Sequence, residues 1–200
     1  MKQTNAQIRK HIRRRRSQLS DKQQQLHQQA VLTHLMSLPR FINAKRIAIY
    51  LHGDGELHTN LIIERIFHLN KHCYLPALYP FGHNKLWFLP FKKNQPLKKN
   101  RFNIAEPIQI KQRIKPWALD IICMPLVAFD ASGNRIGMGG GFYDRTLSAC
   151  KTQGEIKKPV LIGLAHECQY VESIDHNEWD IPMHAVITEK QARVFSQALF

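Results

Sequence analysis

The sequence predicts a single three-layer α/β domain over residues 1–200, with a mainly parallel central sheet flanked by helices. Short apolar runs typical of buried strands lie at 46–51, 72–76, 121–124, 160–165 and 185–188. Helical or long segments separate them, and a strand–helix–strand order within about thirty residues is typical of parallel pairing. A length of 200 residues with 44% hydrophobic content suits one sizeable core.

Capping and stop signals place the helices that flank this sheet. The first helix is predicted at 5–19, and the capping box that begins at Ser20 starts a second at 21–38, which Pro39 ends. Further helices are predicted at 59–69, at 142–149 and after Thr188. An additional strand is predicted at 85–91, and the polar stretch 92–115 is expected to be an exposed connection.

The composition favours an anionic partner. A net charge of +14 suits nucleotides, nucleic acid or a polyglutamylated substrate, although a solvated basic surface accounts for part of it. Four scattered cysteines without a C-x-x-C pair predict neither a zinc site nor a disulfide framework. No apolar run approaches the ~20 residues of a membrane span, and no secretory signal is evident, so a cytoplasmic protein is expected.

A glycine-rich loop dominates the centre of the chain. After the apolar run 121–124 and a turn at 130–134, four of the five residues 137–141 are glycine, and a helix is predicted to follow directly. Such a loop at a helix N-terminus offers free N–H groups to a phosphate. It matches neither the Walker motif nor the dinucleotide fingerprint, so a flexible surface loop stays an alternative.

Charged residues beside this loop favour phosphate binding. Arg135 and Arg145 flank the glycines and could pair with phosphate oxygens. Asp144 could hold a magnesium ion that bridges those oxygens, or it could cap the helix.

The motif at 124–145 resembles the signature of the 5-formyltetrahydrofolate cyclo-ligase family, also called methenyltetrahydrofolate synthetase. The matching residues are Val-Ala-Phe-Asp at 127–130, Gly-Asn-Arg at 133–135 and Gly-x-Gly-Gly-Gly-Phe-Tyr-Asp-Arg at 137–145. Weaker matches at 51–59, at 74–76 and in the basic first helix extend the resemblance over nearly the whole chain.

The resemblance implies an activity and its site residues. It implies ATP-dependent cyclisation of 5-formyltetrahydrofolate to 5,10-methenyltetrahydrofolate, with Mg²⁺ as cofactor, and small-molecule partners for a monomer. The implied ATP-binding residues are Asn5, Arg9, Arg135, Ile136, Gly137, Met138, Gly139, Gly140, Gly141, Phe142, Tyr143 and Arg145. The implied folate-binding residues are Leu51, Glu56, Met138, Gly139, Gly140, Gly141 and Phe142, and the implied metal ligands are Asp144 and Asp180.

Two of these positions keep an alternative interpretation. The family usually carries Lys where Asn5 stands, so the second basic contact to ATP is in question, and Lys2 or Arg13 could replace it. Glu56 is expected to accept hydrogen bonds from the pterin ring, yet from the residues alone it could equally be a solvated loop carboxylate.

Two other functions compete with the ligase. A nucleic-acid-binding protein would explain the charge and the five arginines at 9 and 13–16, but no aromatic residue is interleaved with them and no recognised module is present. Another nucleotide- or sugar-phosphate-using α/β enzyme could carry a similar glycine loop. Only the specificity of the glycine motif favours the ligase over this other kind of α/β enzyme.

Overall fold

The computed structural model describes residues 4–110, 112–151 and 159–196. The helices in this part of the chain are α1 (Asn5–Arg16), α2 (Asp21–Met36), α3 (Pro39–Asn43), α4 (Asn60–His68) and α5 (Phe142–Leu147). The strands are β1 (Arg46–Ala48), β2 (His72–Leu78), β3 (Leu86–Phe91), β4 (Leu97–Lys99), β5 (Ala105–Pro107), β6 (Ile121–Met124), β7 (Ala128–Phe129), β8 (Arg135–Ile136), β9 (Val160–Leu164), β10 (Ala185–Ile187) and β11 (Ala192–Val194).

The central sheet has the order β11-β10-β9-β6-β1-β2-β3. Its five inner strands run parallel, and antiparallel β3 and β11 close the two edges. The predicted fold class is therefore confirmed. None of the described helices is long and apolar enough to cross a membrane.

Strand residues alternate between two cores, one on each face of the sheet. In β6, Ile121 and Cys123 pack with apolar residues of α2, α3 and α4, whereas Ile122 and Met124 pack on the opposite face with Phe129 and with Leu147 of α5. All four β6 side chains are buried. A strand buried on both faces reads as a continuous apolar run, which is why the sequence revealed it so clearly.

Two sequence predictions are wrong. The stretch 92–115 is more than an exposed connection, because it contains the antiparallel pair β4–β5, and buried Glu106 accepts hydrogen bonds from the Leu78 amide (2.8 Å) and from Asn100 Nδ2 (2.5 Å). No helix follows Thr188 in the described residues. Its hydroxyl accepts from the amides of Lys190 and Gln191, as in a cap, but it closes a turn that returns as β11.

Helix and strand ends also differ from the predicted bounds. The first helix ends at Arg16 rather than residue 19, and the second ends at Met36, after which Pro39 opens the separate helix α3. Proline suits that position because the first turn of a helix needs no N–H from it.

A buried aspartate shapes the turn that leads into the glycine loop. The Asp130 carboxylate accepts hydrogen bonds from the amides of Ser132 (2.9 Å), Asn134 (3.0 Å) and Ile174 (3.2 Å). Gly133 within this turn has a φ of 82°, and its carbonyl accepts from the Met183 amide. The turn thereby fixes β8 and the start of the loop.

The turn generates the first prediction. In Gly133→Ala the new Cβ would lie 2.9 Å from the Met183 carbonyl and 2.8 Å from the Phe195 ring, at a φ that L-residues rarely adopt. We expect a loss of about 1–3 kcal/mol in the free energy of unfolding, measured by urea denaturation. Gly53→Ala, where a Cβ meets nothing within 4 Å, is the control and should change stability little. Equal stability of the two variants would contradict this account.

Candidate active site

The candidate site lies at the carboxyl edge of the parallel strands, where open α/β sheets bind ligands. The segment 49–59 follows β1 there, and residues 125–141 follow β6. Helix α1 packs beside both, in contact with β7 and with the turn Glu167–Gln169 that follows β9. Three separate stretches of sequence therefore meet at this edge.

Side chains hold the carbonyl groups of the glycine loop. Arg9 Nε donates to the Gly137 carbonyl at 2.7 Å. Arg145 Nη1 and Asn84 Nδ2 donate to the Gly140 carbonyl at 2.6 and 3.2 Å. Within the described part of the chain, no acceptor pairs with the amides of residues 138–141. The loop therefore presents unpaired N–H groups between two arginines, which is a favourable setting for an anion.

The glycines of the loop are needed for different reasons. Gly139 and Gly141 have φ values of 99° and 62°, where a side chain is strained, and Gly141 is the residue that caps the N-terminus of α5. At Gly140 an added Cβ would lie 2.6 Å from the Phe142 ring. At Gly137 a Cβ would meet open space, so that position is free of steric constraint.

Three of the arginines in α1 bind parts of this edge. Arg9 holds the glycine loop, and Arg13 pairs with both oxygens of Asp54 at 2.9 and 3.1 Å. Buried Arg16 donates to the Leu126 carbonyl (3.2 Å), the Asp54 carbonyl (2.6 Å) and the Asp54 carboxylate (3.0 Å). Three of the five arginines that also suggested nucleic-acid binding thus bind other parts of the protein itself.

The sequence left open which residue supplies the second basic contact to ATP beside Arg9, because Asn5 stands one helical turn before Arg9, where the family usually carries Lys. Asn5 Nδ2 donates to the Asp175 carbonyl at 2.9 Å, and its buried Oδ1 has no partner among the described residues. Arg13 is engaged by Asp54, and Lys2 lies outside the described residues. Asn5 is uncharged and Arg13 is paired with Asp54, so neither residue presents an unpaired cation beside Arg9.

Of the two predicted metal ligands, Asp144 contacts Ile181, the residue that follows the other ligand, Asp180. Asp144 Oδ1 accepts from Arg135 Nη2 at 2.7 Å and from the Ile181 amide at 3.2 Å, while Arg135 Nη1 donates to the Ile181 carbonyl. Asp180 Oδ2 accepts from the Asn177 amide at 2.8 Å and closes a turn. Mg²⁺ commonly uses one or two carboxylates together with substrate phosphates, so this donor set fits it.

Glu56, the predicted folate contact, is half-buried rather than solvated, and its Oε2 accepts from the Gly53 amide at 3.1 Å. Burial raises the pKa of Glu56 to about 7, although the charge of Arg16 partly opposes this. Burial, and to a smaller extent the charge of Glu56, raises the pKa of the half-buried Tyr143 in α5. Leu51, half-buried, packs against the core beside it.

The contacts of Asn84 and Asp54 could not be predicted from the sequence. Asn84 lies in the turn between β2 and β3 with a φ of 46°. In the sequence, an asparagine just before a predicted strand indicates only a turn. Asp54 lies between Gly53 and Gly55, a pattern that is typical of a turn and does not indicate a partner for α1. Both roles depend on contacts between distant parts of the chain.

The raised pKa of Glu56 generates the second prediction. Between about pH 4.5 and pH 7 the folded protein keeps a proton on Glu56 that the unfolded chain releases, so stability falls as the pH rises through this window. Relative to Glu56→Gln, the wild type should lose roughly 1–3 kcal/mol across it and no more above pH ~7.5. Denaturant unfolding at several pH values measures this, and a constant difference between the two proteins would contradict it.

Comparisons with known proteins agree with the glycine motif. Residues 1–189 match the model of the 5-formyltetrahydrofolate cyclo-ligase family. A Haemophilus influenzae protein named 5-formyltetrahydrofolate cyclo-ligase is 42% identical over 186 residues, which cover 92% of this chain and 97% of the relative. The Escherichia coli K12 protein of that name is 42% identical over 178 residues, covering 88% and 96%.

A solved structure extends the agreement to the fold. The NMR structure of Aquifex aeolicus 5,10-methenyltetrahydrofolate synthetase has a TM-score of 0.81 to this chain at 29% identity, and the match covers 96% of this chain and 93% of that one. The fold described above is thus shared with that protein over nearly its whole length. The chain is a member of the 5-formyltetrahydrofolate cyclo-ligase family, and therefore an enzyme of the ligase class.

Proposed function

We propose that this enzyme converts 5-formyltetrahydrofolate and ATP to 5,10-methenyltetrahydrofolate, ADP and phosphate. The observation that carries the proposal is the glycine loop, whose unpaired amides at 138–141 lie between Arg9 and Arg145. Helix α1 contacts both this loop, through Arg9, and the Glu56 segment, through Arg16 and Asp54, so a phosphate donor and a folate could be bound side by side. The two family relatives bear the name of this activity.

The chemistry requires little from side chains beyond alignment and neutralisation of charge. A formamide carbon is a poor electrophile, so the formyl oxygen first attacks the γ-phosphorus of ATP and ADP leaves. The N10 nitrogen then attacks the activated formyl carbon, loses its proton, and the C–O bond breaks to release phosphate. Phosphoryl transfer depends chiefly on positioning and on electrostatic stabilisation, which loop amides and arginines supply.

Each proposed residue has a role in this scheme. The loop amides with Arg9 and Arg145 would bind the phosphate oxygens, and Arg135 would stabilise their charge while it orients Asp144. Asp144 and Asp180 would hold Mg²⁺, which when bound neutralises charge on the phosphate oxygens. Asn5, Ile136 and Tyr143 would complete the nucleotide site around the loop.

The folate would bind on the side of the loop that faces Glu56. The Glu56 carboxylate would accept hydrogen bonds from the pterin N–H groups, and Leu51 would contact its apolar face. Met138, 57% exposed, and the half-buried Phe142 ring would cover the same ligand from the glycine loop. Burial raises the pKa of Glu56 to about 7. Hydrogen bonds from ligand N–H groups would oppose this shift, because they favour the ionised carboxylate.

The proposal predicts a simple optical result. Protein mixed with 5-formyltetrahydrofolate, ATP and magnesium should generate the methenyltetrahydrofolate absorbance band, and omission of ATP should abolish its growth. Release of ADP equal to the product formed should accompany it. Folded protein that produces no band would overturn the proposal and would favour another phosphate-using reaction at the same loop.

A further inference from the structure

A second cluster of polar side chains lies at the carboxyl edge, apart from the glycine loop. It consists of His27 in α2, His166 after β9 and Glu189 after β10, each offering one ligand atom, and these atoms lie within 4.8 Å of one another. His27 Nδ1 lies 2.8 Å from His166 Nδ1 and 3.8 Å from Glu189 Oε2. We propose that His27, His166 and Glu189 bind a divalent transition-metal ion of the zinc class.

Hydrogen bonds outside the cluster hold its members in place. Glu189 Oε2 accepts from the Glu167 amide at 2.9 Å, which orients the carboxylate. The Glu167 carboxylate in turn accepts from the Thr188 hydroxyl (2.7 Å) and from both terminal nitrogens of Arg193 (2.8 and 2.5 Å). The turns that carry His166 and Glu189 are therefore fixed to each other without a metal.

Helix α2 is held against the same turn at a second point. His34, two helical turns after His27 and on the same face, has its Nδ1 3.0 Å from the Thr188 carbonyl. His166 is fully buried, and its amide donates to Gln169 Oε1 at 2.8 Å. His27 and Glu189 are half-buried, with side chains 17% and 16% exposed, so an ion can reach the cluster from solvent.

The donor types and spacing select the kind of ion. Two imidazole nitrogens with one carboxylate oxygen form a common zinc set, whereas Mg²⁺ and Ca²⁺ prefer oxygen ligands. Two nitrogens bound tetrahedrally at about 2.0–2.1 Å from zinc would be about 3.3 Å apart, so the rings must separate by about 0.5 Å. A small rotation of the half-buried His27 provides this, and water would complete the coordination.

The alternative to a metal is a hydrogen bond between two neutral imidazoles, in which one Nδ1–H donates to the other Nδ1. The Glu189 carboxylate beside His27 favours the metal over the neutral pair. A neutral pair needs no acid at that point, whereas a cation would be neutralised by it. An ion at this site would join α2 to the turns after β9 and β10, and it would stabilise the fold.

Zinc titration tests the proposal. Chelator-treated protein should bind one equivalent of Zn²⁺ in calorimetry, and excess Mg²⁺ should not compete. His27→Gln and Glu189→Gln should each weaken this binding about tenfold or more, because each removes a ligand from a partly exposed position that the fold tolerates. His68→Gln, an exposed histidine in α4, is the matched control and should bind zinc as the wild type does.

Thermal unfolding provides a second test of zinc binding. Zn²⁺ should raise the melting temperature of the wild type and of His68→Gln, but not that of the two ligand variants. ATP-dependent ring closure should be unchanged in His27→Gln, since His27 contacts none of the residues assigned to the nucleotide or the folate. Absence of zinc binding by the wild type, or binding that both ligand variants retain, would overturn the proposal.

Discussion

The buried guanidinium of Arg16 is the interaction on which the candidate site depends. Its side chain is fully buried and donates to the backbone of two loops, at Leu126 and at Asp54, and to the Asp54 carboxylate. A buried charge is costly unless several groups compensate it, so burial of Arg16 requires that α1 and both loops lie together. This contact therefore fixes the end of α1 against the carboxyl edge of the sheet.

The fixed position of α1 explains how one helix serves two parts of the site. Arg13 and Arg16 hold the segment that carries Glu56. Arg9, which lies about one turn before Arg13 and two turns before Arg16, reaches the glycine loop. The helix is short and has no acidic residue in its first turn, so its intrinsic helix propensity alone would not keep it folded. Buried Ile8 and Ile12 add the apolar contact that complements these polar ones.

Local patterns in the sequence were sufficient for the five inner strands of the central sheet and for the glycine loop. Buried strands such as β6 and β9 read as apolar runs, and the Gly-Gly-Gly-Phe-Tyr-Asp-Arg segment is specific enough to identify a family. Contacts between distant parts of the chain could not be predicted from these local patterns. Thr188 and Gln191 fit a helix cap, yet pairing of β11 with β10 and the Arg193–Glu167 ion pair make the chain turn back as a strand. The Arg135–Asp144 pair likewise depends on how α5 packs on β8 and on Ile181.

We propose that Arg9 of α1, which donates to the Gly137 carbonyl, completes a phosphate site formed by the glycine loop. The most direct measurement is the KM for ATP of Arg9→Met, with Arg14→Met, which changes an exposed arginine of the same helix, as the control. Loss of a charged hydrogen-bond donor predicts a KM for ATP about tenfold or more higher in Arg9→Met and an unchanged KM for 5-formyltetrahydrofolate. An unchanged KM for ATP in Arg9→Met, or an equal increase in the control, would contradict the account.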